Sequence, residues 1–369
     1  MNSALVLLIM DSGLPLSSPP PPFSCSYTQQ IPELLHNLGG TLALSTYQAG
    51  KVLFLSSKDD KLIQLPRTFP RAMAVGINGS RMAVATKDKV HILGNEPTLA
   101  DNYPNHPGVY DGLYVPRTSF YTGNIDCHGL EWGPKGLWAV NTLFSCICLI
   151  NANYSFEPVW KPSFITNLVP EDRCHLNGMA MNDSGEPEYV TAFSNGDEHN
   201  SWRKNIPGGG QLIHVPTGET IAGDLAMPHS PRMIDGKLFL LSSGSGELLA
   251  LEPETGHIEV VRKIGGFVRG MAHVGDYLFI GLSKLRKNSS IFKDLPIANE
   301  AVSSGFTAIH LPSGAVVGSL TYLSSVDEIF DVCFLPGSRR PGIVSPDMDI
   351  ANLSLVLPEK SYWAAEKRD

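Results

Sequence analysis

Three histidines stand in similar surroundings in this 369-residue chain: His128 in NIDCHGLEW, His175 in EDRCHLNGMAM and His229 in MPHSPRMIDG. Neutral imidazoles are common ligands for zinc, copper and iron. Three of them with an open fourth position make a catalytic metal geometry, because the vacant position takes water or substrate. The expected cofactor is a divalent metal ion, with zinc, iron and copper all open. The alternative is that each imidazole bonds locally and ties one segment to the next. His36, His91, His106, His199, His214, His257, His273 and His310 lack this phase and read as surface or structural residues.

Charged and polar groups recur beside the histidines. Arg71, Arg232 and Arg269 share a phase, and guanidinium groups pair in two-pronged fashion with carboxylate or phosphate. With Asn177 they are the expected substrate-binding residues for an anionic ligand. The same arginines would equally serve as struts to Asp126, Glu328 and Asp331. Glu328 and Asp331 are the candidate catalytic acids, placed to act as a general base or to complete a metal shell.

The elements that must position these residues are strands. From Thr41 onward the chain is a series of short apolar runs bounded by Gly, Pro, Asp or Asn, with almost no helical periodicity. GKLFLLSSGSGELLALEPETG reads as a hairpin. Six units share one layout, starting at Pro70, Cys127, Leu176, Ser230, Val268 and Phe330, each a polar position followed by strand, turn and strand. Such spacing fits the blades of a β-propeller. The expected fold is all-β, a six-bladed propeller with its polar positions gathered near the axis. TLALSTYQAGKVLFLSSKDDKLIQL, ahead of the first unit, supplies outer strands that complete the last blade and close the ring. A seventh blade is the alternative. The expected organisation is a Pro-rich disordered tail over 1–25, one propeller domain over 26–357 and a C-terminal tail over 358–369.

Two long irregular stretches, Asp101 to Phe120 and Ser194 to Gly210, are expected either to cap their own blades or to wall a pocket, with Tyr103, Tyr110, Tyr114 and Trp202 as stacking surface. The glycine run Pro207 to Leu212 lacks the Lys-Ser/Thr ending of a phosphate loop and reads as a turn. Neither G-x-S-x-G nor H-E-x-x-H occurs.

Composition excludes several classes. Hydrophobic residues make up 43% and charged residues 17%, against roughly 25% charged in an average globular protein, which excludes a disordered chain or coiled coil. The net charge of -8 argues against nucleic-acid binding. No apolar run reaches membrane-spanning length. The N-terminal apolar run, Ala4 to Met10, has no preceding Lys or Arg, so a cytoplasmic location is expected. The six cysteines include Cys146-x-Cys148, which reads as a pair of core thiols. Five Asn-x-Ser sequences, at Asn78, Asn153, Asn182, Asn288 and Asn352, carry little meaning in that compartment.

The motifs STYQAGK, LYVPR, VNTLFSC, EDRCHLNG, MPHSPR and LPGSRRP, running from Ser45 to Pro341, together resemble one bacterial family of conserved hypothetical proteins, a domain of unknown function. The resemblance runs from about Gly39 to Pro341 and implies a single propeller-like domain with no named activity. One departure is His128-Gly129, where the family pattern is His-Asp, which puts that part of a metal shell in question. By fold analogy, six-bladed propellers include lactonases, peptide lyases with His-bound metal and binding scaffolds. The expected function is a metal-dependent hydrolase, lyase or oxygenase with a polar axial pocket, acting on an anionic or peptide-like substrate, a small molecule or a peptide. A secondary-metabolite or peptide-modification pathway is one setting for it. The rival is a non-catalytic propeller that binds a peptide or protein partner.

Overall fold

Alternation of small, β-branched and aliphatic residues with turn formers gives strands of three to ten residues, and these assemble into a six-bladed β-propeller. The computed structural model describes residues 19–285, 292 and 295–364. Residues 1–18 and 365–369 of the expected tails, and Asn288, lie outside the described residues.

Each blade is a four-stranded antiparallel sheet. Innermost strand first, the first blade is Val75–Asn78, Arg81–Ala85, Lys89–Asn95 and Gly112–Tyr121. The second is Cys127–Gly133, Gly136–Asn141, Cys146–Ile150 and Glu157–Trp160. The third is Leu176–Met181, Pro187–Ala192, Gly210–His214 and Thr220–Leu225. The fourth is Pro228–Ile234, Lys237–Ser242, Glu247–Glu252 and His257–Lys263. The fifth is Phe267–Val274, Tyr277–Ser283, Gly305–His310 and Ala315–Tyr322. The sixth joins the two ends of the chain: Asp331–Pro336 lies innermost, followed by Gly40–Thr46, Lys51–Lys58 and Lys61–Thr68. The early strands therefore complete the last blade and form no seventh.

The core sits between blades. Phe54, Val84 and Tyr114 join the sixth blade to the first. Trp138, Ile147, Met179 and Val190 join the second to the third. Leu241, Leu248, Met271 and Ile280 join the fourth to the fifth. Each such side chain, fully buried, contributes about 1.5–3 kcal/mol of hydrophobic stabilisation. The six cysteines are unpaired, and Cys127, Cys146, Cys148 and Cys174 are buried.

Three additions cover edges. A helix, Gln30–Leu38, buries Ile31 and Leu35 against the fifth and sixth blades and ends on Gly39, whose left-handed φ of 66° lets its N–H reach Leu35 and His36 carbonyls. This helix precedes the run of strand signals and is the main element that the strand pattern does not announce. Cys25–Tyr27 adds an outer strand to the fifth blade, and Pro341–Ile343 adds one to the first. Ser354–Val356 and Ser361–Trp363, which extend into the expected C-terminal tail, form a hairpin. Its Trp363 indole donates to Leu99 O at 2.9 Å. Among the described residues no helix is long and apolar enough to cross a membrane.

Candidate functional site

The residue just before the innermost strand adopts a left-handed backbone in four successive blades: Asp126 (φ 50°), His175 (φ 51°), Met227 (φ 54°) and Gly266 (φ 74°). Left-handed non-glycine residues cost about 1 kcal/mol or more each and persist where the surroundings fix them. The turn swings the chain into the centre of the ring. His128, Asn177 and His229 then occupy the second position of their strands, whereas His175 is itself the turning residue. Arg232 sits three positions further in than His229, level with Glu131 and not with His128.

All three imidazoles are anchored through Nδ1. That of His128 lies 2.9 Å from Asp126 O and 2.9 Å from Thr142 Oγ1. The Thr142 hydroxyl donates its proton to Leu176 O at 2.6 Å, so toward His128 it accepts. A carbonyl also only accepts, so Nδ1 carries the proton and Nε2 keeps the lone pair. The pattern repeats at His229, with Met227 O at 3.0 Å and Ser243 Oγ at 2.7 Å, the Ser243 hydroxyl donating to Val268 O. His175 Nδ1 is 3.0 Å from both oxygens of Asp172, and Asp172 Oδ2 also accepts the Trp202 indole N–H at 2.8 Å. The His175 ring packs against both Phe193 and Trp202, at 4.5 and 4.4 Å between centroids.

Electrostatics keep two of these rings neutral. Burial, with Arg269 and His175 nearby, outweighs Asp126 and lowers the His128 pKa to about 4. Burial and Arg269 push His229 well below the usual imidazole value. The carboxyls of Glu131 and Asp331 are pushed up by burial, against the pull of Arg232.

Two cavities meet here. The outer one, ≈ 620 Å³, is lined by His128, His175, His229, Arg269 and Glu328, with Tyr47, Phe193, Trp202, Phe267 and Phe330 as aromatic wall. The inner one, ≈ 20 Å³, is lined by Glu131, Asn177, Arg232 and Asp331, and it shares His128, His229, Arg269 and Phe330 with the outer. The arginines act in part as struts. Arg269 Nη1 is 3.6 Å from Glu328 Oε1, with its guanidinium 3.4 Å over the Phe330 ring, and Arg232 Nη2 is 3.8 Å from Glu131 Oε1.

The expected residues thus fall into three groups. His128, His175, His229, Arg269 and Glu328 share the outer cavity, and Asn177, Arg232 and Asp331 line the inner one. Asp331 is committed to the fold: its oxygens accept from the amides of Val75 at 3.0 Å and Val332 at 2.9 Å, which ties the sixth blade to the first. Arg71 is placed elsewhere. It is exposed, four residues before its strand, contacts Tyr47 Oη at 3.3 Å and lines neither cavity. Of the two long stretches, the one after Ser194 walls the outer cavity through Trp202. The one after Asp101 instead packs Tyr103 and Tyr110 with Trp363 at the outer rim.

Sequence reasoning missed Asp172, Glu131, Thr142 and Ser243. A signal for the last two exists, since a hydroxyl residue follows both His128 and His229 by 14 positions. Among the described residues no three His, Cys, Asp or Glu side chains form a ready metal-binding set, although the rings of His128 and His175 are 4.9 Å apart.

A family model described as a domain of unknown function, DUF4915, matches residues 29–344. No curated protein matches the sequence. Among solved structures, a chain of a nidogen/laminin complex is 11% identical with a TM-score of 0.54, over 81% of this chain and 99% of that one. A protein of unknown function from Bacteroides caccae is 12% identical with a TM-score of 0.48, over 80% of this chain and 99% of that one.

Proposed function

Since the chain belongs to the family described as DUF4915, a domain of unknown function, no activity comes with its membership, and we propose one from the cavity: a metal-dependent enzyme acting on an anionic or peptide-like small molecule. The observation that carries this reading is the common anchoring of three imidazoles from consecutive blades through Nδ1, which leaves Nε2 of each as the lone-pair nitrogen. Metal-ligating histidines are held in this way, by a carbonyl or carboxylate on the second ring nitrogen.

Nε2 of His128, His175 and His229 would hold a divalent ion. Bound there, the ion supplies Lewis acidity and a nucleophilic water. Asp172 fixes the His175 tautomer and favours ligation through Nε2. Arg269 orients the anionic group of the substrate, and Glu328 beside it moves the proton. The aromatic wall at this axial pocket excludes water from the reacting atoms. Six unpaired cysteines fit a reducing, cytoplasmic setting, and a secondary-metabolite or peptide-modification pathway suits such a reaction.

The test is elemental analysis of protein purified without added metal, compared with His175→Ala. The expected result is about one equivalent of zinc, iron or copper per chain, lost in the variant while its circular dichroism is unchanged. Metal-free protein whose melting temperature ignores chelators and added metal would overturn the proposal in favour of a binding scaffold.

A further inference from the structure

We infer that the inner cavity is a head-group site for the carboxylate of the substrate, and that the aromatic wall of the outer cavity takes an apolar or aromatic body attached to it. This rests on the outer cavity being a substrate site, and it does not depend on the metal.

The first observation is a donor without a partner. Asn177 is 2% exposed and lines the inner cavity, yet its Nδ2 has no hydrogen-bond partner among the described residues. A buried amide N–H left unmade costs about 1–3 kcal/mol, so such a group points to something that accepts from it. The amide is held in place because Asn177 belongs to the buried strand Leu176–Met181.

The second observation is the gap beside it. Arg232 Nη1 is turned to its neighbour's carbonyl, Pro231 O, at 2.9 Å, while Nη2 stands 3.8 Å from Glu131 Oε1, too far for a direct hydrogen bond. An oxygen placed to one side of this pair can contact both groups. The cavity of ≈ 20 Å³ has room for about one or two water-sized groups, which suits the two oxygens of a carboxylate.

The third observation is the charge balance. Arg232 and Arg269 bring two positive charges to the lining, the second of them set against Glu328. Of the two acids, Asp331 spends both oxygens on backbone amides. Glu131 stands beside Arg232, so its charge is offset within the lining. An incoming carboxylate therefore meets Asn177 Nδ2 and Arg232 as donors.

The boundary between the cavities is His128, His229, Arg269 and Phe330. A molecule seated head-first would place the atoms next to its carboxylate level with the imidazoles. Its body would then lie against Phe193, Trp202 and Phe267, which form one buried aromatic cluster with Met227.

The experiment is calorimetric titration of the full chain with benzoate and with benzyl alcohol, its neutral counterpart of similar size. The expected result is at least tenfold tighter binding of benzoate, and a tenfold or greater loss of that preference in Asn177→Asp and in Arg232→Met, each with an unchanged melting profile. The comparison of the two ligands on the unaltered chain stands even where a variant fails to fold. Equal binding of both ligands, or no benzoate binding, would overturn the proposal and leave a cavity that holds water alone. Metal-free protein that still prefers benzoate would keep this proposal while removing the metal from the proposed function. Metal-replete protein without the preference would do the reverse.

Discussion

His128 and His229 are neutral in the folded chain because burial removes the water that would solvate an imidazolium, and because Arg269 adds a positive charge nearby. Unfolding frees both rings to titrate near 6.5. Between that value and about 4, where His128 titrates when folded, the unfolded chain binds more protons, so stability falls as pH falls through the window. Glu131 and Asp331 act in the opposite sense, since their raised values let the folded chain bind protons first. The contribution of His128 is therefore read by difference: urea midpoints measured from pH 7 to 4 should fall less steeply for His128→Gln than for the unaltered chain. Parallel slopes would mean that the ring is charged in the folded protein. Phase in the sequence singled out His128 and His229, which hold equivalent strand positions, whereas His175 stands two residues earlier, at the turn. Asp172 was not legible, because its role depends on two successive turns, with φ of 46° at Asp172 and 51° at His175, that fold the carboxylate back onto the ring.

Hydroxyl residues clip one blade to the next, and this is a property of elements. Ser45 donates to Met73 O, Thr142 to Leu176 O, Ser243 to Val268 O and Ser283 to Ile329 O, each reaching from the end of one strand to the chain approaching the next blade's centre. In the second and fourth blades the same hydroxyl receives the histidine proton, so inter-blade clip and imidazole anchor are one network. Ser243→Ala leaves Val268 O without this donor in a dry setting, at a cost of about 1–3 kcal/mol. We expect denaturant melts to show that loss, and a variant as stable as the unaltered chain would show the clip to be idle. The strands themselves were legible, because alternating short apolar runs leave little choice of secondary structure. The Gln30–Leu38 helix was less so, as a nine-residue amphipathic segment gains most of its stability from the blades beneath it.

The whole molecule is a ring whose two ends share a sheet. Ser45 pairs with Asp331 and Gly40 with Pro336, and the Asp331 carboxylate grips the Val75 amide across the next junction. Gly270, at φ 76°, lets the fifth blade pass so close that an added Cβ would stand 2.8 Å from Asp331 Cα. A chain ending at Phe330 lacks the innermost strand of the sixth blade. It should lose its near-ultraviolet dichroism and its cooperative urea transition, and a sharp native-like transition would show that five and three-quarter blades suffice. The sequence by itself determined the six-fold repetition and the closure by early strands. Each of these rests on local pattern, on strand length, turn residues and the recurrence of one motif. Only the tertiary structure decided which side chains share a cavity. It set Arg71 outside both cavities and turned Asp331 to the backbone. It placed Asn177 with Arg232 in an inner chamber and brought Trp202 across from a loop onto His175. Ring closure sets those distances, and they depend on contacts between residues far apart in the chain, which spacing along the sequence does not encode.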